Sequence, residues 1–158
     1  MARCLCGVLA LVLGGSVAMA ADITRDQVTN LVNAGAAAVV KDAAGSLAKI
    51  TAGEAPFREA ALEEFYTFVY DTNVVIVAHP DTNLVGRSYR GKPDAKGKKF
   101  RDEIVEGALK QGTGWIDYMY KKPNQEGLFP KETYFKLVTG SDGKSYVVCA
   151  GRYLPKEK

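Results

Sequence analysis

The chain has 158 residues, of which 47% are apolar and 25% are charged. This composition is typical of a soluble globular domain and excludes a disordered tail, a collagen-like fibre and a multi-span membrane protein. The formal net charge of +3 does not favour a nucleic acid as the main partner, and a single histidine excludes a metal site built on several histidines.

Residues 1–20 have the pattern of a secretory signal peptide. A positive charge at Arg3 precedes an apolar run, and small residues flank Met19 in a cleavage pattern that ends at Ala20. The apolar run is shorter than the roughly 20 residues that span a bilayer, which favours cleavage near Ala20 over an uncleaved anchor. We therefore expect a periplasmic or secreted protein whose mature part is a single domain, residues 22–158.

Cleavage would remove two of the three cysteines and leave Cys149 alone in the mature domain. One thiol cannot form an internal disulfide. Because Cys149 lies in an apolar run, we expect a small buried side chain there rather than a reactive thiol.

The first part of the mature chain is typical of a long amphipathic helix. Thr24 and Gln27 have the spacing of a capping box at its start. Apolar or small side chains then recur every three or four residues as far as Ile50, which places them on one stripe. Gly53 marks the end of this helix, and Pro56 suits the first turn of a second, short helix.

The remaining chain alternates in the manner of strands, with one further helix from Phe100 to Gly112. A turn at Asp71–Asn73 predicts an initial hairpin, and short connections favour antiparallel pairing. The predicted strands are residues 65–71, 74–79, 115–121, 133–138 and 144–153. This order of elements predicts an α+β domain in which a long N-terminal helix packs on a five-stranded antiparallel sheet.

Seven short stretches occur in an order that is found in one family. They are FYTFVYD at 65–71, VAHP at 77–80, LVGR at 84–87, KKF at 98–100 with EIV at 103–105, GWIDY at 114–118, YFK at 134–136 and GRY at 151–153. From about Asp26 to Tyr153 the chain thus resembles the single Cache domain of the second type, a PAS-like extracytoplasmic sensor domain of bacteria. It departs from the family at Asn73, where glycine is usual, and we expect Asn73 to accept the positive φ of that turn.

The resemblance implies a PAS-like fold that receives small molecules, often short carboxylates, between the sheet and the segment that joins its second and third strands. Most family members lie between two transmembrane helices of a chemoreceptor or kinase. This chain shows neither a second hydrophobic segment nor an output domain. We therefore expect a free-standing domain that passes its state to a membrane sensor or transporter, or acts by binding alone.

A small carboxylate needs cationic or neutral donors and aromatic walls in a partly dry pocket. His79 ends the second strand, and Arg87 and Tyr89 follow in the next loop. Lys136 would face inward on an apolar strand, which is costly unless it binds an anion. The other candidates are aromatic: Trp115, Tyr118 and Tyr134. For each of them, core packing or exposure to solvent is the alternative.

The period of two along a strand limits how these candidates can combine. Trp115 and Tyr118 lie on opposite faces of one strand, so they cannot both point into one cavity unless a bulge intervenes. Tyr134 and Lys136 share a face. The basic run that ends at Arg101 is expected to be a solvated helix start rather than a functional patch.

The sequence favours a binding protein over an enzyme. With one histidine, no Gly-x-Ser-x-Gly and one cysteine expected to be buried, no motif suggests a catalytic triad, and the lack of Cys-x-x-Cys-His excludes covalent haem. No cofactor or metal is expected. The alternative function is an interaction or assembly module of an envelope complex that binds no ligand. Gly35 and Ala36 on the helix stripe permit close packing, so a homodimer through that helix stays open.

Overall fold

The computed structural model describes residues 22–155, so the predicted signal peptide and its cleavage site lie outside the described residues. Its helices are α1 (Arg25–Lys41), α2 (Ala43–Ala52) and α3 (Phe100–Gln111), with a short 3-10 turn at Thr82–Leu84. Its strands are β1 (Thr67–Asp71), β2 (Ile76–Ala78), β3 (Thr113–Lys121), β4 (Leu128–Thr139) and β5 (Ser145–Tyr153). All pair antiparallel in the order β2-β1-β5-β4-β3, which confirms the predicted α+β class and sheet.

Within residues 22–155, none of the helices has the length and apolar character needed to cross a membrane.

The long N-terminal helix is present, but it is interrupted at Asp42. The capping box forms as predicted, with the Thr24 hydroxyl accepting from the Gln27 N–H and the Gln27 side chain accepting from the Thr24 N–H. Asp42 adopts an extended backbone, and its carboxylate starts α2 by accepting from the Gly45 N–H at 3.0 Å. A short acidic side chain can accept from the free amides of a first helical turn. Asp42 therefore separates α1 from α2, while the apolar stripe continues from one helix to the other.

The predicted short helix from Pro56 is wrong, because residues 53–66 form turns instead. Helix α2 ends at Gly53, as predicted, with φ at +68°. Phe57 is buried among the side chains beneath α2, and its carbonyl accepts from the Thr67 N–H at the start of β1. Proline suits turns as well as first helical turns, and here the turn conformation allows Phe57 to be buried.

Each face of the sheet carries its own apolar cluster. On the face that we call the α1 face, α1 and α2 pack aliphatic side chains such as Val32, Val39 and Ile50 against the sheet. On the opposite side, the α3 face, α3 packs against a cluster that is rich in aromatic residues, and Cys149 is fully buried there as predicted. The alternation of side chains along each strand decides which face a residue joins.

A buried carboxylate fixes the start of α1 to the sheet. Glu132 on β4 lies on the α1 face and accepts hydrogen bonds from Arg25 and Arg152, each with a shortest N–O distance of 2.5 Å. Arg152 also donates to the Ile23 carbonyl, and the Arg25 guanidinium lies 4.7 Å from the centre of the Trp115 ring. The hydrogen bond from Arg25 is the largest cause that lowers the pKa of the Glu132 carboxyl.

The hairpin between β1 and β2 forms as predicted, but its left-handed residue is Val74 rather than Asn73. The Asp71 carboxylate accepts from the N–H groups of Asn73 and Val75, which fixes the turn. Val74 has φ at +62°, a conformation that is strained for a β-branched residue. Its side chain is buried in the α3 cluster, and this burial offsets the strain.

Candidate functional site

An open cavity of about 670 Å³ lies on the α3 face, between β3, the start of α3 and the loop after β2. A second, enclosed void of about 10 Å³ lies next to it and has room for about one water molecule. Four residues line both spaces and mark the inner end of the larger cavity: Tyr66, His79, Phe100 and Tyr120. An organic ligand would therefore have to occupy the larger cavity, with its innermost group against these four side chains.

Lys131 on β4 is buried on the α3 face, with only 1% of its surface exposed. Its Nζ lies 4.8 Å from the ring centres of Tyr66 and Tyr153, 5.4 Å from that of Tyr120, and 3.4 Å from the Tyr66 hydroxyl. Within residues 22–155, the ion pairs do not include Lys131. Loss of hydration lowers its pKa to about 8. Ring faces and a phenol compensate a buried ammonium only in part.

Arg101, near the start of α3, is a second buried cation and lines the cavity directly. Its guanidinium carbon lies 4.2 Å from the centre of the Phe100 ring and 4.3 Å from that of Tyr89. No ion pair of the described part of the chain involves it. A guanidinium covered on its faces by aromatic rings can still bind a carboxylate through the N–H groups in its plane.

His79 completes the polar groups at the inner end of the cavity. Its Nδ1 accepts from the Asp81 N–H at 2.8 Å, so the proton of the neutral ring lies on Nε2. Burial, with the charges of Lys131 and Arg101, lowers the pKa of His79 to about 4. At neutral pH His79 is therefore an uncharged donor, and the positive charge of this site comes from Lys131 and Arg101.

Two carboxylates hold the outer wall of the cavity, the loop of residues 85–99. Asp94 accepts from three backbone N–H groups, one of which belongs to Met119 on β3. Asp102 on α3 accepts from the Gly91 N–H at 2.8 Å. The loop is thus attached on one side to the edge strand and on the other to the helix.

Of the seven residues predicted for the site, His79 and Tyr118 lie at the two spaces just described. Tyr118 stacks on Phe100 at 3.8 Å between ring centres and lines the enclosed void. Tyr89 is half-buried against the Arg101 guanidinium and lines neither of the two spaces. Arg87 is exposed on the loop.

The other three predicted site residues lie on the α1 face and are not brought to the cavity. The rings of Trp115 and Tyr134 pack against each other at 5.3 Å beside α1. The Lys136 ammonium donates to the Asn33 side chain of α1 at 2.9 Å. Trp115 and Tyr118 point to opposite faces, as the period of two predicts, and Tyr134 and Lys136 share one.

Sequence reasoning does not find Lys131 or Arg101. The predicted fourth strand starts at Thr133, whereas β4 starts at Leu128 and continues through Pro130. Extending the alternation backwards by two residues from Thr133 would have placed Lys131 on the same face as Thr133, the α3 face. For Arg101 there is no comparable signal, because a basic residue in the first turn of a helix is usually solvated.

Comparison with known proteins agrees with this architecture. The sequence model of a family described as a Cache domain matches residues 36–156. A search of curated proteins gave no significant match.

Several solved structures share the fold. A Cache chemosensory domain described for its carboxylic acid recognition superimposes with a TM-score of 0.67 at 20% identity, covering 82% of this chain and 92% of its own. A periplasmic sensor domain of a chemotaxis protein gives 0.61 at 24% identity, covering 80% and 88%. A methyl-accepting chemotaxis protein from Vibrio parahaemolyticus gives 0.64 at 16% identity, covering 82% and 87%. At these identities the likeness establishes the fold alone.

Proposed function

This chain belongs to the Cache domain family, and from that premise we propose that it is a periplasmic sensing domain that binds a small carboxylate in the cavity of the α3 face. The observation that carries the proposal is a pair of buried cations, Lys131 and Arg101, which form no ion pair within residues 22–155. Burying a cation without an anion is costly, and a bound anion would remove that cost.

The groups at the inner end of the cavity suit a carboxylate head. Arg101 offers a bidentate donor, and the His79 Nε2–H and the Tyr66 hydroxyl offer neutral ones. Lys131 lies behind these residues and adds positive charge without lining the larger cavity. A hydrogen bond to a charged group contributes about 1.5–3 kcal/mol, so two or three donors suffice for binding.

Two of the solved relatives support this proposal, since one is described for carboxylic acid recognition and another as a periplasmic sensor domain. The proposal is one of binding rather than catalysis. The bound state would be passed to a membrane sensor or transporter.

Titration calorimetry of the purified protein with acetate, propionate, pyruvate and lactate tests the proposal. A ligand of about four to six non-hydrogen atoms gains at most roughly −6 to −9 kcal/mol. This range corresponds to dissociation constants between tens of micromolar and, at best, about a micromolar or somewhat below. We expect micromolar to millimolar binding of at least one acid, weakening above about pH 8, where Lys131 loses its charge. No heat from any of the four acids would reject short carboxylates as ligands.

The matched variants are Lys131→Met and Lys136→Met, the same substitution on opposite faces of one strand. Loss of the Lys131 charge, or of the Arg101 donors in Arg101→Met, is expected to weaken binding about tenfold or more. Lys136→Met is expected to leave the affinity unchanged, because Lys136 contacts α1. Circular dichroism confirms that each variant is folded. Equal losses in Lys131→Met and Lys136→Met would contradict this assignment of the site.

A further inference from the structure

The cavity on the α3 face is several times larger than a two- or three-carbon acid. At roughly 30 Å³ for each water-sized group, its volume of about 670 Å³ corresponds to about twenty non-hydrogen atoms. Acetate, with about four non-hydrogen atoms, would leave about four fifths of this space to water, whereas an acid of about ten such atoms would leave about half. The volume instead suits a larger ligand, in which the acid group is attached to a group of several more non-hydrogen atoms.

The outer part of the cavity offers an apolar surface to the part of such a ligand that lies beyond its acid group. The apolar residues that line it include Pro80, Leu84, Pro93, Met119, Pro123 and Leu128. Several charged residues at the same wall are already engaged within the protein: Glu63 accepts from Asn124, Lys122 pairs with Glu64, and Asp94 accepts from backbone amides. Apolar surface on a ligand would be buried favourably here, and these three groups do not call for a second charge on it. Arg58 and Lys121, which also line the cavity, form no ion pair within residues 22–155.

The rigidity of this wall distinguishes a ring from a flexible chain. Three of the apolar lining residues are prolines, whose rings have little freedom to rearrange. At the inner end, the rings of Phe100 and Tyr120 meet at 74° with their centres 6.1 Å apart, so that they form a fixed aromatic corner. A planar ring packs against such surfaces without losing internal rotations, whereas an aliphatic chain of similar size loses several on binding.

We infer that the cavity selects a carboxylate whose acid group is attached, directly or through one carbon, to an aromatic ring. This inference rests on the proposed carboxylate-binding function and names its ligand class. The acid group lies at Arg101 and His79, and the ring occupies the outer part of the cavity.

Calorimetric titration of the purified protein with acetate, hexanoate, benzoate and phenylacetate tests the inference. Benzoate or phenylacetate is expected to bind at least tenfold more tightly than acetate, and more tightly than hexanoate. Equal or weaker binding of both aryl acids relative to acetate would overturn the inference and leave the proposed function standing. Binding of hexanoate as tight as that of the aryl acids would also overturn it, because chain length and not the ring would then decide. No binding of any acid would overturn the proposed function itself.

A pair of variants separates filling of the cavity from a general effect on the fold. Leu84 is half-buried and lines the outer cavity, so Leu84→Trp should occupy the space of the ring. This variant is expected to reduce the tenfold preference for an aryl acid over acetate to nearly none. Leu109→Trp places the same side chain at an exposed position of α3 and should leave the preference unchanged. A preference that survives in Leu84→Trp would overturn the inference.

Discussion

On the α1 face of the sheet, Glu132 is buried and accepts hydrogen bonds from two arginines. Lys131, the preceding residue, is buried on the α3 face and forms no ion pair within residues 22–155. Arg101 on α3 is also a buried cation, and its guanidinium packs against the rings of Phe100 and Tyr89. One face thus neutralises its buried charge within the protein, and the other retains an excess of positive charge. Under the proposed function, the first face stabilises the fold and the second receives an anion.

The apolar residues differ between the faces in the same sense. The α1 face is packed mainly with aliphatic side chains from α1 and α2, including Val28, Val39 and Ile50. The α3 face is rich in rings, which supply polar hydroxyl groups and ring faces as well as apolar area. Close packing of aliphatic groups stabilises a fold, whereas rings beside a cavity can also contact a ligand.

The largest expected effect comes from a cavity made beneath α2. Ile50 is fully buried on the α1 face, so Ile50→Ala should lower the free energy of unfolding by about 2–5 kcal/mol. Carboxylate affinity should stay the same wherever the variant is folded, because Ile50 does not line the cavity. Urea denaturation measures the first effect and calorimetry the second. The control Leu109→Ala, at a position 53% exposed, should change stability by about 0.5 kcal/mol or less, and an equal loss there would contradict the comparison.

The next effect has the opposite sign. The pKa of Lys131 is about 8 in the folded protein, below the value of about 10.4 for an unfolded chain, so the folded state binds fewer protons between these values. Burial of the charged ammonium therefore costs stability below about pH 8, and wild-type stability rises from there towards pH 10. Lys131→Met should stabilise the protein by on the order of 3 kcal/mol at pH 7, from about 1.4 kcal/mol for each unit of pKa.

The stabilisation by Lys131→Met should shrink as the pH approaches 10, and its effect on ligand binding should shrink as well, because wild-type Lys131 is then uncharged too. Denaturant unfolding at pH 7 and pH 9.5 measures the difference. Lys136→Met, on the α1 face of the same strand, should change stability by about 0.5 kcal/mol or less. A loss of stability in Lys131→Met at pH 7 would mean that the buried ammonium is already compensated, which would remove the contrast between the faces.

A smaller loss is expected for Glu132→Gln. The amide cannot satisfy both arginines, and leaving buried hydrogen-bonding groups unpaired costs about 1–3 kcal/mol. Because the folded pKa of Glu132 is lowered, its contribution is complete above the unfolded value of about 4.3 and is lost as the pH falls through the folded value. The difference from wild type should therefore shrink in acid.

Thermal unfolding at pH 7 and pH 3 measures that difference for Glu132→Gln. Asp117→Asn makes the same change at a carboxylate that is 83% exposed and pairs with Lys98 at 3.5 Å. Such a surface pair contributes about 0–1 kcal/mol, so the control should change little. A loss in Asp117→Asn as large as that in Glu132→Gln would show that burial of the carboxylate is not what matters.

The order of elements could be predicted because it depends on local signals. Apolar periodicity, the capping box at Thr24 and the glycines at the ends of α2 and α3 act over a few residues. The errors occur where the same local pattern is compatible with two different structures. Asp42 caps a new helix inside a continuous apolar stripe, Pro56 enters a turn rather than a helix, and Pro130 lies within a strand.

The site could be predicted only in part, because it depends on which distant side chains meet. His79 was recognisable from its place at the end of a strand, and it does line the cavity. Lys131 and Arg101 acquire their character from rings supplied by other elements, such as Tyr66 and Tyr89. Lys131 and Arg101 are unusual because they are buried cations. The spacing of residues along the chain does not show that they are buried.

The carboxylates of Asp94 and Asp102 hold the cavity wall through main-chain amides. Every residue except proline provides such an amide, so apart from Asp94 itself these bonds do not depend on which side chains the loop carries. Substitutions at positions such as Ala95, which lines the cavity, could therefore accumulate without detaching the loop. In evolutionary terms, the bonds that hold the cavity wall are separate from the side chains that select the ligand. Descendants of this protein could therefore acquire new ligand preferences while the loop stays attached in the same way.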